Sequence, residues 1–171
     1  MIPDDKKYNN VEIPFGTSFI MQTSYNDVTI DYAGQVMGSA KEFTITSGCW
    51  NMTGNCSPVA LVYGDITANE TFAFGEDTLQ TLTGTGGTDL LLTYLSPEVA
   101  EADYSDFAEL GLTAGWYDYN FIADPDTGWD WESEIPADKK YNAIAVPAGF
   151  GFIMQSSYEG AAIEIPSPLA D

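Results

Sequence analysis

Apolar and polar residues alternate in short runs along most of this chain, and the runs are rich in Val, Ile, Thr, Tyr and Phe. That period and those residue types favour strands over helices. Phe19-Ile-Met-Gln-Thr-Ser-Tyr25 and Phe152-Ile-Met-Gln-Ser-Ser-Tyr158 each follow a turn built on Pro and Gly. A turn at Asn26-Asp27 or Glu159-Gly160 then leads into Val28–Tyr32 or Ala161–Ile165, so each pair reads as a β-hairpin. Further strands are expected at Glu42–Thr46, Val59–Tyr63, Thr71–Phe74, Thr78–Leu82, Asp89–Leu95 and Trp116–Ile122, between breaks rich in Gly, Asn and Asp. One short helix is expected from Ser96 to Tyr104, with Ser96 as its cap and Pro97 in its first turn. The pattern predicts an all-β fold, an antiparallel sandwich that is immunoglobulin-like or related, with one short helix.

The most specific feature is an internal repeat. Ile2–Ile30 recurs as Ile135–Ile163 at a constant offset of 133 without a gap, and about half the aligned positions are identical. The shared blocks include Asp-Lys-Lys-Tyr-Asn and Phe-Ile-Met-Gln. A repeat of this length divides the chain into a partial unit, residues 1–34, and a complete unit, residues 35–171. Three arrangements satisfy it: a piece of a longer tandem array, a subunit that lends its first segment to a neighbour, or one pseudo-symmetric sandwich holding both copies. In the first copy, Phe19, Ile20, Met21, Val28 and Ile30 need a partner face, either on the following domain or on a neighbouring subunit. The neighbour is the preferred partner, because a head-to-tail contact that adds strands to an open sheet edge propagates into a homopolymer.

Charge narrows the function classes. There are 26 acidic residues against 5 basic ones, a formal net charge of −21, and no histidine. Such a field repels nucleic acid and anionic lipid surfaces, so neither nucleic-acid binding nor peripheral membrane attachment is expected, and no apolar stretch approaches the length of a transmembrane helix, so no membrane insertion is expected. Without His, the chain alone cannot build Ser-His-Asp or Cys-His catalysis, and no catalytic residues and no enzyme activity are expected. The opening Met1-Ile-Pro-Asp-Asp-Lys-Lys lacks the apolar core of a secretory signal, so an exported form would have had its signal removed or omitted.

Cys49 and Cys56 lie close together in Gly48-Cys-Trp-Asn-Met-Thr-Gly-Asn-Cys-Ser-Pro58. A disulfide closing this small loop is preferred to a pair of free buried thiols, and it would suit an oxidising compartment.

The same stretch resembles the Gly-Trp-Asn-Leu-x-Gly-Asn-Pro signature of secreted bacterial β-rich surface modules. Pro147-Ala-Gly-Phe-Gly-Phe-Ile-Met154 resembles the Pro-x-Gly-x-Gly-Phe-x-Val segment that follows it in those proteins. The resemblance implies an exported β-sandwich-like module, extracellular or at the cell surface, and brings no catalytic residues. It carries Trp50 over as a packing residue and Asn51 as a turn residue. Cys56 stands at the usual proline, which implies a disulfide in place of the proline's rigidity.

Two further candidates concern ligands. Asp124, Asp126, Asp130 and Glu132 place oxygen atoms at alternate positions, as in the first half of a calcium loop. Position 12 of such a loop would be Ile135 instead of Glu, so the alternatives are a Ca²⁺ site and, as the default, a solvated acidic turn. Trp129 and Trp131 alternate with polar residues as a sugar-stacking strand would, and so would a strand facing a core. Asn51, Asn55 and Asn69 head Asn-x-Ser/Thr sequons. The function these features favour is a self-associating extracellular structural protein, a filament subunit or surface-array module without a cofactor; the alternative is a glycan-binding module or adhesin whose partner is a polysaccharide.

Overall fold

A computed structural model describes residues 12, 16–19, 22–29, 35–81, 90–101, 113–123 and 139–169. Among them run ten strands: β1 Lys41–Thr44, β2 Asn51–Gly54, β3 Leu61–Val62, β4 Thr67–Ala68, β5 Thr78–Thr81, β6 Leu91–Leu95, β7 Gly115–Asp118, β8 Ala145–Val146, β9 Gly151–Gln155 and β10 Ala162–Ile165. A 3₁₀ turn spans Tyr63–Asp65, and two short helices, α1 Pro97–Ala100 and α2 Tyr119–Ala123, follow β6 and β7.

All the pairings are antiparallel. They form a three-stranded sheet in the order β1-β10-β4, a five-stranded sheet in the order β2-β9-β5-β6-β7, and a two-stranded ribbon β3-β8. Ile45, Ile163 and Ile165 from the side of the smaller sheet share one core with Leu79, Leu92, Phe152 and Met154 of the larger. The fold is therefore the all-β, sandwich-like class that the alternation predicts.

The strand β7 is buried on both faces. Trp116 enters the main core, where Phe72 meets it edge-on at 5.8 Å and Tyr94 lies 5.0 Å away. Its indole N–H donates to the Ile66 carbonyl at 2.7 Å, which satisfies the one polar atom that this burial would otherwise strand. Tyr117 points the other way, into a second cluster with Leu95 and Ala100. Two helical turns cover that outer face, which explains why two successive aromatic residues are both buried.

Several local expectations need correction. In the second copy the expected hairpin is not one: β9 lies in the five-stranded sheet and β10 in the three-stranded sheet, so residues 156–161 cross between layers, while the hairpin expected in the first copy falls partly outside the described residues, of which 22–29 carry no strand. The crossing is held by its neighbours' backbone, with Gly48 N–H donating to the Ser156 carbonyl at 2.9 Å and Ile45 N–H to the Ala161 carbonyl at 2.7 Å. Thr71–Phe74 forms turns instead of a strand, with Phe72 buried from a loop. The strand expected over Trp116–Ile122 ends at Asp118, whose carboxylate accepts from the Asn120 N–H at 2.9 Å and starts α2. The helix after Ser96 is shorter than expected, although Ser96 caps it through Val99 N–H at 3.3 Å and Pro97 stands in its first turn as foreseen.

Candidate functional site

The second copy of the repeat is the thread that ties the sheets together. It supplies β8, β9 and the start of β10, one strand to each sheet, and both β9 and β10 are flanked by strands on two sides. Ahead of β8, Asn142 accepts from the Trp116 N–H at 2.8 Å through Oδ1, and its own carbonyl accepts from the Gly64 N–H at 3.0 Å. Lys139 pairs with Asp118 at 3.4 Å, and the Lys140 ammonium stands 5.6 Å from the centre of the Tyr117 ring. After β9, the buried Asp77 carboxylate accepts from Ser156 Oγ at 2.7 Å, Ser157 N–H at 3.3 Å and Ala73 N–H at 3.0 Å. The seat of this segment is thus a run of specific polar contacts around the apolar anchors Phe152, Met154 and Ile163.

None of Lys139, Lys140, Asn142 or Asp77 stood out by residue type. For the first three the signal was present, because Asp-Lys-Lys-Tyr-Asn is one of the blocks repeated without change.

The first copy shares local backbone with the second. Gly16 and Gly149, 133 positions apart, have φ of +82° and +76°, and Asp27 and Gly160 have φ of +57° and +85°. Both places are left-handed turns, a conformation that a residue with a side chain, such as Asp27, adopts only at a cost. The packing differs. Phe152 and Ala161 are fully buried at 0% exposure, whereas their counterparts Phe19 and Val28 are 54% and 53% exposed.

The first copy does touch the rest of the chain through its middle. Gly16 lies against the Phe43 ring so closely that no side chain fits there, Thr53 Oγ1 donates to the Gly16 carbonyl at 2.8 Å, and Ser18 Oγ donates to the Thr53 carbonyl. Of the expected assembly residues, Ile20, Met21 and Ile30 lie outside the described residues.

The expected disulfide is not formed, and both Cys49 and Cys56 are free thiols. The reason is β2, which runs extended between them: Asn51 to Gly54 alone spans roughly 10 Å at strand rise, beyond the Cα separation a disulfide tolerates. Cys56 instead donates its S–H to the Gly54 carbonyl at 3.1 Å, and burial pushes this thiol above its ordinary pKa.

Trp50 is 67% exposed, so the packing role that the resemblance implies belongs to Trp116 and not to Trp50. Asn51 does hold a turn, accepting from the Thr46 N–H and donating to the Thr46 and Cys49 carbonyls. Asn55 is buried and donates to the Val59, Val146 and Pro147 carbonyls, and Asn69 bonds Gly160 and Ala162 across the crossing. These sequon asparagines therefore staple backbone in the folded chain.

The calcium candidates Asp124, Asp126, Asp130 and Glu132 and the sugar-stacking candidates Trp129 and Trp131 lie outside the described residues. Among the described residues no three His, Cys, Asp or Glu side chains gather as a metal site, and no helix is long and apolar enough to cross a membrane. Comparison with protein-family models, with curated proteins and with solved structures finds nothing that matches this chain.

Proposed function

We propose that the chain is a structural unit that joins end to end with units of its own kind through residues 1–34, as a filament subunit or as one module of a surface array. One observation carries the reading. A segment that forms the spine of the folded domain is present a second time, and the apolar residues Phe19 and Val28 of this extra copy stand in solvent where their counterparts are buried. The same segment forms strands in the second copy, and exposed apolar side chains on a segment able to add to a sheet edge suit pairing with another chain.

A place outside the cell or on its surface is part of the proposal. It rests on the acidic composition and on the resemblance to secreted surface modules, and the free thiols of Cys49 and Cys56 add nothing to it.

The contact that Gly16 and Ser18 make with their own domain is compatible with joining. Met37 packs on the core and its carbonyl accepts from Ser167 Oγ at 2.6 Å, so residues 31–36 link the repeat to the folded unit, and six residues reach roughly 20 Å when extended, which lets the segment swing towards an adjoining unit. Sedimentation of the intact chain, refolded at increasing concentration, tests the reading. Species heavier than the monomer, growing with concentration, are the expected result; a monomer at every concentration would refute it.

A further inference from the structure

We infer that residues 6–30 are a second key to the seat that residues 139–163 occupy, so that the partner joined by the first copy is a unit of this same fold whose own seat is open. The inference rests on the proposed joining function and names the surface that does the joining.

The seat's apolar places take Phe152, Met154 and Ile163, and the first copy offers Phe19, Met21 and Ile30 at the same offsets. Asn142, which fixes the Trp116 backbone, corresponds to Asn9. Asp77 needs a hydroxyl where Ser156 stands, and the first copy has Thr23, which keeps it. The two left-handed turns recur in the described backbone of both copies, at Gly16 with Gly149 and at Asp27 with Gly160. The anchors Phe152, Met154, Ile163 and Asn142 thus keep their residue types in the first copy, whereas Val146 and Phe150, which also face the domain, are replaced by Ile13 and Thr17. Exposed positions such as Ala145, where the first copy has Glu12, are free to differ.

Charge points the same way. Between positions 31 and 134 there are eighteen acidic residues and a single lysine, Lys41, while the other four lysines of the chain are Lys6, Lys7, Lys139 and Lys140. Each copy therefore brings a cationic pair to an acidic frame, and in the second copy that pair lies at Asp118 and over the Phe121 and Tyr117 rings. Opposite charge on segment and frame favours their encounter.

The two keys are not equal. Ala161 and Ala162 are tightly buried, and the first copy puts the larger Val28 and Thr29 at those places. Overfilling weakens its fit. Against the first copy of another chain, the second copy also has the advantage of attachment to its own seat, at an effective concentration in the millimolar range. A folded unit consequently keeps its own second copy, and the first copy is taken up only by a unit whose second copy has not yet docked. Joining is then coupled to folding.

The test disables one key at a time in the full chain. Phe152→Asp places a charge at the centre of the core and expels the second copy. If the first copy can replace it, this variant keeps a cooperative unfolding transition with a lowered midpoint, whereas Phe152→Asp combined with Phe19→Asp has no transition. Phe19→Asp alone leaves the transition unchanged. The seat is identified by a cysteine pair, Gln22→Cys with Thr78→Cys, in the Phe152→Asp chain with Cys49→Ser and Cys56→Ser. Thr78 is the register partner of Gln155, the counterpart of Gln22, so oxidation should yield a bridge between positions 22 and 78, within one chain or between two. Two results would overturn the inference: Phe152→Asp as unfolded as the double variant, or a folded Phe152→Asp chain without the bridge. If the wild-type chain assembles in either case, the joining function stands and only the seat is wrong.

Discussion

Phe19 and Phe152 hold the same place in two copies of one segment, yet Phe152 has 0% of its surface in solvent and Phe19 has 54%. Replacing each by alanine should therefore have unequal effects on the monomer. Phe152→Ala opens a cavity between the sheets and should cost about 3–5 kcal/mol. Phe19→Ala should stay within about 0.5 kcal/mol. Urea unfolding at low protein concentration measures both.

Asp77 links the turn before β5 to the crossing after β9. Removing its carboxylate with Asp77→Ala leaves Ser156 Oγ and the N–H groups of Ala73 and Ser157 without their acceptor, and should cost about 1–3 kcal/mol. Ser156→Ala should cost less. The combined variant should lose less than the sum of the two, because they share one hydrogen bond. A double-mutant cycle in urea reads that coupling, and strict additivity would contradict the arrangement.

Cys49 is exposed, whereas Cys56 is half-buried with its thiol pushed up by burial. The thiolate is the reactive form, so Cys49 should react faster with a maleimide near neutral pH. Peptide mapping at short times should find the label on Cys49 first and both thiols free at the start. Equal labelling, or a bridge between the two, would contradict the extended course of β2.

Burial raises the phenols of Tyr63, Tyr94 and Tyr117 above the ordinary value of 10.0. The folded state then keeps protons that the unfolded chain releases above pH 10, so the unfolded state binds fewer protons there and stability falls as pH rises. The stabilisation is complete below pH 10 and is lost as pH climbs through the raised folded values. Thermal unfolding between neutral and strongly alkaline pH should show this decline. Tyr63→Phe, which has no proton to release at that place, should make it shallower.

The sequence was informative where one side chain decides the local structure. The strands β1, β5, β6 and β9 and the cap at Ser96 were all legible. The fate of β10 was not, since Phe152–Tyr158 and Ala161–Ile165 have the pattern of a hairpin, and it is β1, Ile45, Asn69 and β4, distant in sequence, that draw the second strand into the other sheet. Asn51–Gly54 was hidden too. Its Asn and Gly are turn residues by propensity, and pairing with β9 overrides that preference. The seat of the second copy was visible as repeated residues, but which atoms they meet required Asp77, Trp116 and Gly64 to be brought beside them by the fold.

The central claim is that the extra copy joins units. The core residues run from Ile45 to Ile165, so a chain without residues 1–34 keeps the whole of it. Sedimentation velocity of this shortened chain beside the intact one, each refolded at the same series of concentrations, tests the claim most directly. The shortened chain should fold and stay monomeric, and the mass of the intact chain should rise with concentration. A shortened chain that assembles as readily as the intact one would contradict the claim.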